Sequence, residues 1–258
     1  MIDSHCHLDP GVYGGDAGVD ETIARARAAG VTPILTVGSG YGFESAARAL
    51  AVARRHPDVR CSVGLHPHDA KDYTEARLGE LLALADAPEV LALGEMGLDF
   101  FYDSSPRDEQ RHAFRAQLRA AKARNLPVII HDRETAGETL RVLDEEGAWT
   151  TGVLYHCYTG DVAQMEAIVE RGGYISIPGI VTFKNAETMR EVAAAVPEER
   201  LLVETDSPFL TPVPHRGRKN EPAYVAHTLA CVAGLRKTTV AALDATTTAN
   251  TLRFFRWR

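Results

Sequence analysis

Short apolar runs alternate with longer amphipathic stretches along this chain of 258 residues. The runs are rich in Val, Ile and Leu and are bounded by turn residues, which is typical of buried strands. They predict eight strands, over residues 1–4, 31–37, 60–64, 90–94, 127–130, 151–155, 173–176 and 201–205. The stretches between them are rich in Ala, Glu, Arg and Leu and predict helices, among them residues 20–29, 43–55, 75–84, 107–124 and 134–146.

Strands that alternate with helices indicate βα units, and eight such units suit one closed barrel. We therefore predict the α/β class and a single TIM (β/α)8 barrel domain over residues 1–258. No Ser/Gly-rich or Pro-rich linker divides the chain. The stretch from residue 210 to residue 222 is Pro-rich and basic, and it is predicted to be a long functional loop.

The overall charge narrows the kind of partner that the chain can bind. With 45% hydrophobic residues the chain can bury a large core, and its formal net charge is -7. An acidic chain does not wrap nucleic acid in a basic coat, because such coats neutralise many phosphates with Lys and Arg. A nuclease is still compatible with this charge, since bound divalent cations reverse the sign of the field at the site itself. Any contact with nucleic acid is therefore expected to be local.

Cysteine usage and the N-terminal segment indicate a cytoplasmic protein. The four cysteines, Cys6, Cys61, Cys157 and Cys231, have no paired spacing and predict neither a zinc ribbon nor a disulfide framework. The N-terminal segment lacks the basic and apolar regions of a secretory leader, and no run of about 18 apolar residues predicts a membrane span. We expect no membrane contact.

Polar side chains gather at the predicted carboxyl ends of the strands. In a TIM barrel these ends meet on one face, where the active sites of such enzymes lie. The set comprises His5, His7, His66, His68, Glu95, Asp99, His131, His156, Glu204 and Asp206. Six of the chain's ten histidines belong to it. The pattern predicts one polar site at this face.

Two histidines flank Cys6 near the first strand. A His-x-His pair by itself usually lies on the protein surface and has no binding role. On a strand, however, residues i and i+2 point to the same side, so the imidazoles of His5 and His7 enter the barrel together. A buried pair of this kind is explained by a metal ion, for which histidine is a common ligand. Asp3 lies two residues before His5, so its side chain points to the same side of the strand. Its role is left open between orienting a ligand and being a polar core group.

Three carboxylates are candidates for metal chemistry. Glu95 follows an apolar strand beside glycines, and it is either a solvated acid in a turn or a carboxylate whose two oxygens bridge two cations, which is the role we predict. Glu204 and Asp206 lie two residues apart after the last strand, hence on one side of the chain. Two acids facing into a barrel repel each other unless cations lie between them. We predict that Asp206 is a metal ligand that also orients the attacking water. Glu204 is predicted to lie behind Asp206 and to support the ligands without binding the metal itself.

Two further histidines and a basic loop complete the candidate site. His131 and His156 each end an apolar run, and a lone histidine there is more often part of a hydrogen-bonded core than a ligand. Two of them on neighbouring strands favour a shared metal. The loop with Arg216 and Lys219 is either simply solvated or a phosphate clamp, since cationic side chains match phosphate oxygens. Beside a metal site we favour the clamp.

The residues follow a recognisable succession of motifs over essentially the whole chain. In order they read DSHCHLD, VGLHPH, GEMGLDFFYD, LPVIIHDRE, YHCYTG, GYISIPGIVTFKNA, RLLVETDSPFLTP and PHRGRKNEP. This succession closely resembles the TatD family of metal-dependent deoxyribonucleases, within the amidohydrolase-like barrels. The resemblance implies a distorted TIM barrel that binds two divalent cations.

The resemblance also implies the ligands and the reaction. One ion would be held by His5, His7, Glu95 and Asp206, and the other by Glu95, His131 and His156. The implied reaction is 3′ to 5′ exonuclease cleavage of single-stranded DNA by a metal-activated water, with Asp206 and Glu95 as catalytic groups. We expect His66, Arg216 and Lys219 to hold phosphate oxygens whose negative charge grows in the transition state.

Two alternative functions stay open at this point, as does the identity of the metal. The same ligand set serves a carbonyl centre, for example in a D-aminoacyl-tRNA deacylase, and a barrel can also be a non-catalytic metal-binding scaffold. Histidine ligands favour ions such as Zn²⁺ or Mn²⁺, whereas Mg²⁺ prefers oxygen. DNA is the expected substrate, and no obligate protein partner is inferred.

Overall fold

The computed structural model describes residues 1–257. Its strands are β1 (Asp3–Cys6), β2 (Ile34–Gly38), β3 (Val59–Val63), β4 (Val90–Asp99), β5 (Val128–Arg133), β6 (Val153–Tyr155), β7 (Tyr174–Ile177) and β8 (Leu201–Val203). They belong to one sheet in the order β1 to β8. Parallel strands that follow one another in chain order, with helices between them, are the topology of the TIM barrel, and the predicted fold class is confirmed.

The helices are α1 (Pro10–Tyr13), α2 (Gly15–Ala28), α3 (Ser45–Arg55), α4 (Glu75–Ala85), α5 (Arg107–Arg124), α6 (Glu138–Glu146), α7 (Val162–Glu170), α8 (Glu187–Ala195), α9 (Val225–Leu235) and α10 (Val240–Phe254). Short 3₁₀ helices cover Pro67–Asp72, Ala148–Thr150, Gly179–Thr182, Glu198–Arg200 and Pro222–Tyr224. Helix α5 has the predicted bounds. Helix α6 begins four residues later than predicted, because Glu134, Ala136 and Gly137 have positive φ angles that a right-handed helix does not accept.

The chain divides into two compact units, one of residues 1–36 with 156–258 and one of residues 37–155. The prediction of a single domain over residues 1–258 stays a prediction. In the first unit, Ile175, Ser176 and Ile177 of β7 pair with Leu201, Leu202 and Val203 of β8. The chain beyond β8 returns to β1, where the amide of His7 donates to the carbonyl of Ser207 at 2.7 Å.

In the second unit β4 is longer than predicted. The apolar run predicts a strand that ends at residue 94, but β4 continues to Asp99, and it stays paired with β5 as far as Asp99 opposite Arg133. A Cβ at Gly97, whose φ is +149°, would lie 1.9 Å from the carbonyl oxygen of His131. The glycine therefore allows close strand pairing rather than a turn. As a correction, Glu95 and Asp99 lie within β4 and do not follow it.

Other predicted bounds also shift slightly. His5 lies inside β1 and His131 inside β5, not after them, because each strand continues beyond its apolar run into polar residues. Residues 210–221 form neither a helix nor a strand, and the predicted long loop is confirmed. Within residues 1–257 no helix has the length and apolar character of a membrane span.

Candidate metal centre

The first cluster of potential ligands lies in the first unit, on β1 and after β8. Nε2 of His5 and Nε2 of His7 lie 3.8 Å and 3.6 Å from Oδ1 of Asp206. All three residues are buried. The i, i+2 spacing places both imidazoles on one side of the extended chain, as predicted. Asp206 has a φ of 53°, in the left-handed region, and its amide donates to the carbonyl of His5 at 3.0 Å, which fixes the backbone of Asp206 beside the histidines.

Glu204 belongs to a second group of potential ligands in the same unit. The rings of His5 and His156 are stacked with their centroids 3.9 Å apart, and Nδ1 of His156 lies 3.5 Å from Oε1 of Glu204. That oxygen also accepts from the amide of Cys157. Oε2 of Glu204 is buried and has no hydrogen-bond partner within residues 1–257. A buried carboxylate oxygen of this kind needs a cation or a donor.

Asp3 holds the backbone between these two acids. Its carboxyl group is fully buried and accepts hydrogen bonds from the amide of Thr205 at 2.9 Å and from its hydroxyl at 2.6 Å. Burial raises the pKa of Asp3 well above its ordinary value, and the bonds from Thr205 oppose that shift. Asp3 thus fixes the residue that separates Glu204 from Asp206, and its role toward the potential ligands stays open.

A third group of potential ligands lies in the second unit, on β4, β5 and the segment after β3. Oε1 of Glu95 is 2.7 Å from Nδ1 of His131 and 3.3 Å from Nε2 of His66. Burial lowers the pKa of His66 to about 4, although Glu95 opposes this shift. A neutral imidazole is the form that binds a metal. His66 was predicted to hold phosphate, and it lies among the potential ligands of this group.

Asp99 contacts two histidines at this third group, His131 and His68. Its Oδ2 lies 3.0 Å from Nε2 of His131 and 2.8 Å from Nε2 of His68. Burial raises its pKa, but the hydrogen bonds from His131 and His68 outweigh burial and hold the pKa well below its ordinary value. The carboxylate therefore fixes the ring of His131, whose other nitrogen faces Glu95.

The two cations predicted to clamp phosphate lie on the exposed loop after β8. The Arg216 guanidinium donates to the carbonyl of Thr211 at 3.0 Å and stacks 3.9 Å from the ring centroid of Phe183. Nζ of Lys219 donates to the carbonyl of Val12 at 2.6 Å. These contacts fix the positions of the Arg216 and Lys219 side chains. Their role toward phosphate stays a prediction.

Comparison with known proteins identifies the family. A family model described as "TatD related DNase" matches residues 2–256. The chain belongs to the TatD family.

Relatives of the TatD chain are similar along their whole length. An uncharacterized metal-dependent hydrolase YabD from Bacillus subtilis is 40% identical over 256 residues, which cover 99% of each chain. A 3′-5′ ssDNA/RNA exonuclease TatD from Salmonella typhimurium is 39% identical over 261 residues, with 99% of this chain and 98% of the relative covered. The crystal structure of YJJV, a TatD homologue from Escherichia coli K12, is 31% identical and superposes with a TM-score of 0.91 over 100% of this chain and 98% of that one. This TatD chain is a metal-dependent hydrolase.

The donor sets of this TatD chain fit a divalent ion. Ligands around a tetrahedral ion at about 2.1 Å stand roughly 3.4 Å from one another. Within each of the three groups the nitrogen and oxygen atoms lie within 4.8 Å of one another. Imidazole and carboxylate donors are those that Zn²⁺ and Mn²⁺ accept. The groups therefore fit in donor type, spacing and burial.

Two features of the site were not predicted from sequence. Oγ of Ser39 lies 3.4 Å from Oε2 of Glu95, and the amide of Glu95 donates to the same hydroxyl at 3.3 Å. A signal existed, because Ser39 directly follows the apolar strand β2. The pairing of Asp99 with His131 was also missed. Asp99 has the strand parity of Glu95, which places both carboxylates on one side of β4.

Proposed function

We propose that this hydrolase is a 3′ to 5′ exonuclease that cleaves single-stranded DNA. The observation that carries the proposal is the set of buried imidazole and carboxylate groups around Asp206 in one unit and around Glu95 in the other. A buried set of this composition suits phosphodiester hydrolysis by water, which needs no protein nucleophile. The polarity and the substrate are taken from the relative of Salmonella typhimurium, a 3′-5′ ssDNA/RNA exonuclease.

We propose two divalent cations per chain, drawn from Mg²⁺, Mn²⁺ and Zn²⁺. His5, His7 and Asp206 would hold one, and Glu95 and His131 would hold the other. His156 and Glu204 supply further donors beside His5. Bound cations supply Lewis-acid activation of water and neutralise negative charge on phosphate oxygens. The sharing of Glu95 between both ions, which the family resemblance implies, stays a prediction.

The side chains of the protein have separate tasks in this proposal. Asp206 accepts a proton from the attacking water or orients it, and its carboxylate lies beside the imidazoles of His5 and His7 on a backbone bonded to His5. Ser39 holds Glu95 from one side, and His131 holds it from the other. His66, Arg216 and Lys219 would hold phosphate oxygens as charge grows on them. No base-reading group is required, so the reaction would show little sequence preference.

The test is digestion of 3′-labelled and 5′-labelled single-stranded DNA by EDTA-treated enzyme after Mg²⁺, Mn²⁺ or Zn²⁺ is added back. We expect stepwise loss from the 3′ end, which Glu95→Ala and Asp206→Ala abolish. Asp86→Ala, at an exposed position after α4, is the matched control and keeps activity. DNA that stays intact with every added metal would contradict the proposal. D-aminoacyl-tRNA would then be the next substrate to assay.

A further inference from the structure

Two adjacent aromatic residues, Phe101 and Tyr102, follow the end of β4 after one intervening residue and are unusually exposed. Phe101 is 51% exposed and Tyr102 is 56% exposed, which makes them the most exposed aromatic pair in the part of the chain that the structure describes. Their rings contact each other edge to face, with centroids 4.8 Å apart. Exposed aromatic surface of this kind is unfavourable in water, and on a monomer it marks a binding site more often than a packing site.

The backbone under this pair is held in place. The amides of Phe101 and Tyr102 donate to Oδ1 of Asp99 at 3.0 Å and 2.9 Å. Asp99 is itself fully buried and lies at the end of β4. The two rings are therefore presented from a fixed turn on a rigid strand, which lowers the entropic cost of binding a flat ligand.

The side chain of Arg133 lies over the rings of Phe101 and Tyr102. The Arg133 guanidinium lies 4.6 Å from the ring centroid of Phe101 and 4.8 Å from that of Tyr102. Arg133 is exposed at the end of β5. The neighbouring Asp103 is already paired with Arg107 at 2.8 Å, so its charge is compensated. Flat aromatic faces beside an exposed guanidinium match a ligand that has both a flat π system and a negative charge.

The pair is connected to the potential ligands of the second unit. The rings of Tyr102 and His68 contact each other with centroids 5.4 Å apart, and Nε2 of His68 lies 2.8 Å from Oδ2 of Asp99. The same oxygen lies 3.0 Å from Nε2 of His131. A ligand on Tyr102 is therefore separated from the His131 group by only one layer of side chains.

We propose that Phe101 and Tyr102 form a stacking platform for an unpaired nucleobase of the substrate strand, and that Arg133 binds a phosphate of the same strand. This inference rests on the proposed nuclease function and deepens it, because it assigns the substrate class to a site. Stacking on aromatic rings accepts every base and requires that the base be unpaired. The platform thus selects single strands over duplexes without reading sequence.

The test measures binding and stacking separately from cleavage. The probe is a single-stranded oligonucleotide with 2-aminopurine at its 3′ end, added to the full chain in EDTA so that the DNA stays intact. Stacking quenches 2-aminopurine fluorescence, and anisotropy of a labelled copy gives the Kd. The double variant Phe101→Leu/Tyr102→Leu keeps apolar side chains but removes the rings. Tyr102→Phe keeps both rings, and Val240→Ala alters an exposed apolar side chain on α10.

We expect the double leucine variant to raise the Kd at least about fivefold and to lose the quenching, since stacking contributes roughly 1–3 kcal/mol per base. Tyr102→Phe and Val240→Ala should retain the wild-type Kd and quenching. With metal restored, the leucine variant should show a raised KM for single-stranded DNA but unchanged hydrolysis of methyl p-nitrophenyl phosphate, a phosphodiester without a base.

The outcomes separate the two proposals. If the wild-type enzyme degrades DNA and the leucine variant binds, quenches and degrades equally well, the platform is wrong and the nuclease proposal stands. If the wild-type enzyme neither binds nor degrades DNA, both proposals fail. Equal loss of activity on DNA and on methyl p-nitrophenyl phosphate would also overturn the platform, because it would show damage to the catalytic groups.

Discussion

Oδ2 of Asp99 lies 3.0 Å from Nε2 of His131, and the other nitrogen of that imidazole faces Glu95 at 2.7 Å. The ring of His131 is therefore held between two carboxylates. A carboxylate behind a histidine ligand fixes the tautomer and orientation of the ring and raises its basicity.

Replacing Asp99 with Asn should weaken metal binding through His131. The variant keeps the size of the side chain but removes its charge, and losses of roughly 10–100-fold are typical when such a partner of a metal ligand is changed. Metal titration by calorimetry and kcat on single-stranded DNA measure the effect. Asp103→Asn, at an exposed position, is the control and should change neither. Unaltered metal affinity in Asp99→Asn would contradict the positioning role.

Replacing Thr205 with Val should destabilise the protein and lower its activity. The change removes the hydroxyl that donates to buried Asp3, and an unsatisfied buried partner costs about 1–3 kcal/mol of unfolding free energy. Urea unfolding gives the free energy, and kcat reports the displacement of Asp206. Thr150→Val, at an exposed position, should stay within about 0.5 kcal/mol of wild type. A Thr205→Val protein with wild-type stability would show that this hydrogen bond is dispensable.

Replacing Gly97 with Ala should destabilise the chain by at least about 2 kcal/mol. The new Cβ would lie 1.9 Å from the carbonyl oxygen of His131, at a φ of +149° that Ala rarely adopts. The matched control is Gly79→Ala in helix α4, where nothing lies within 4 Å of the new Cβ. That change should stabilise the protein by about 0.5–1 kcal/mol. Thermal unfolding of both variants checks the opposite signs.

Removing the loop cations should weaken the binding of single-stranded DNA in a salt-dependent manner. The plot of log K against log salt concentration has a negative slope. If Arg216 and Lys219 each neutralise a phosphate, each alanine substitution makes that slope less negative by about 0.7. Anisotropy titrations at several salt concentrations provide the slope. Arg124→Ala, on the exposed end of α5, should leave it unchanged. An unaltered slope in Arg216→Ala and Lys219→Ala would exclude the phosphate clamp.

Much of the fold, and the shared side of neighbouring candidate ligands, could be predicted from sequence because both depend on local periodicity. The two-residue spacing of His5 and His7, and of Glu204 and Asp206, places each pair on one side of an extended chain. The end of β4 was predicted at residue 94, which is too early, because the apolar run stops there. The strand continues through Gly97, whose close contact with His131 on β5 is not contained in the local sequence.

Contacts between distant residues could not be predicted. Lys219 donates to the carbonyl of Val12, and Asp3 accepts from Thr205, across separations of 207 and 202 residues. No periodic signal connects such positions. The same holds for Oε2 of Glu204, whose burial without a hydrogen-bond partner within residues 1–257 depends on the packing around it. Glu204 was accordingly predicted behind Asp206, although it lies beside the imidazoles of His5 and His156.

The two units also differ in when a ribosome completes them. Residues 37–155 are continuous in sequence, so His66, Glu95 and His131 have all been made before residue 156 is added. The other unit joins residues 1–36 with residues from 156 onward, so His5 and His7 are synthesised about 200 residues before Asp206. Because chains grow from the N-terminus at about 5–20 residues per second, this group of potential ligands is completed roughly ten seconds or more after its two histidines are synthesised.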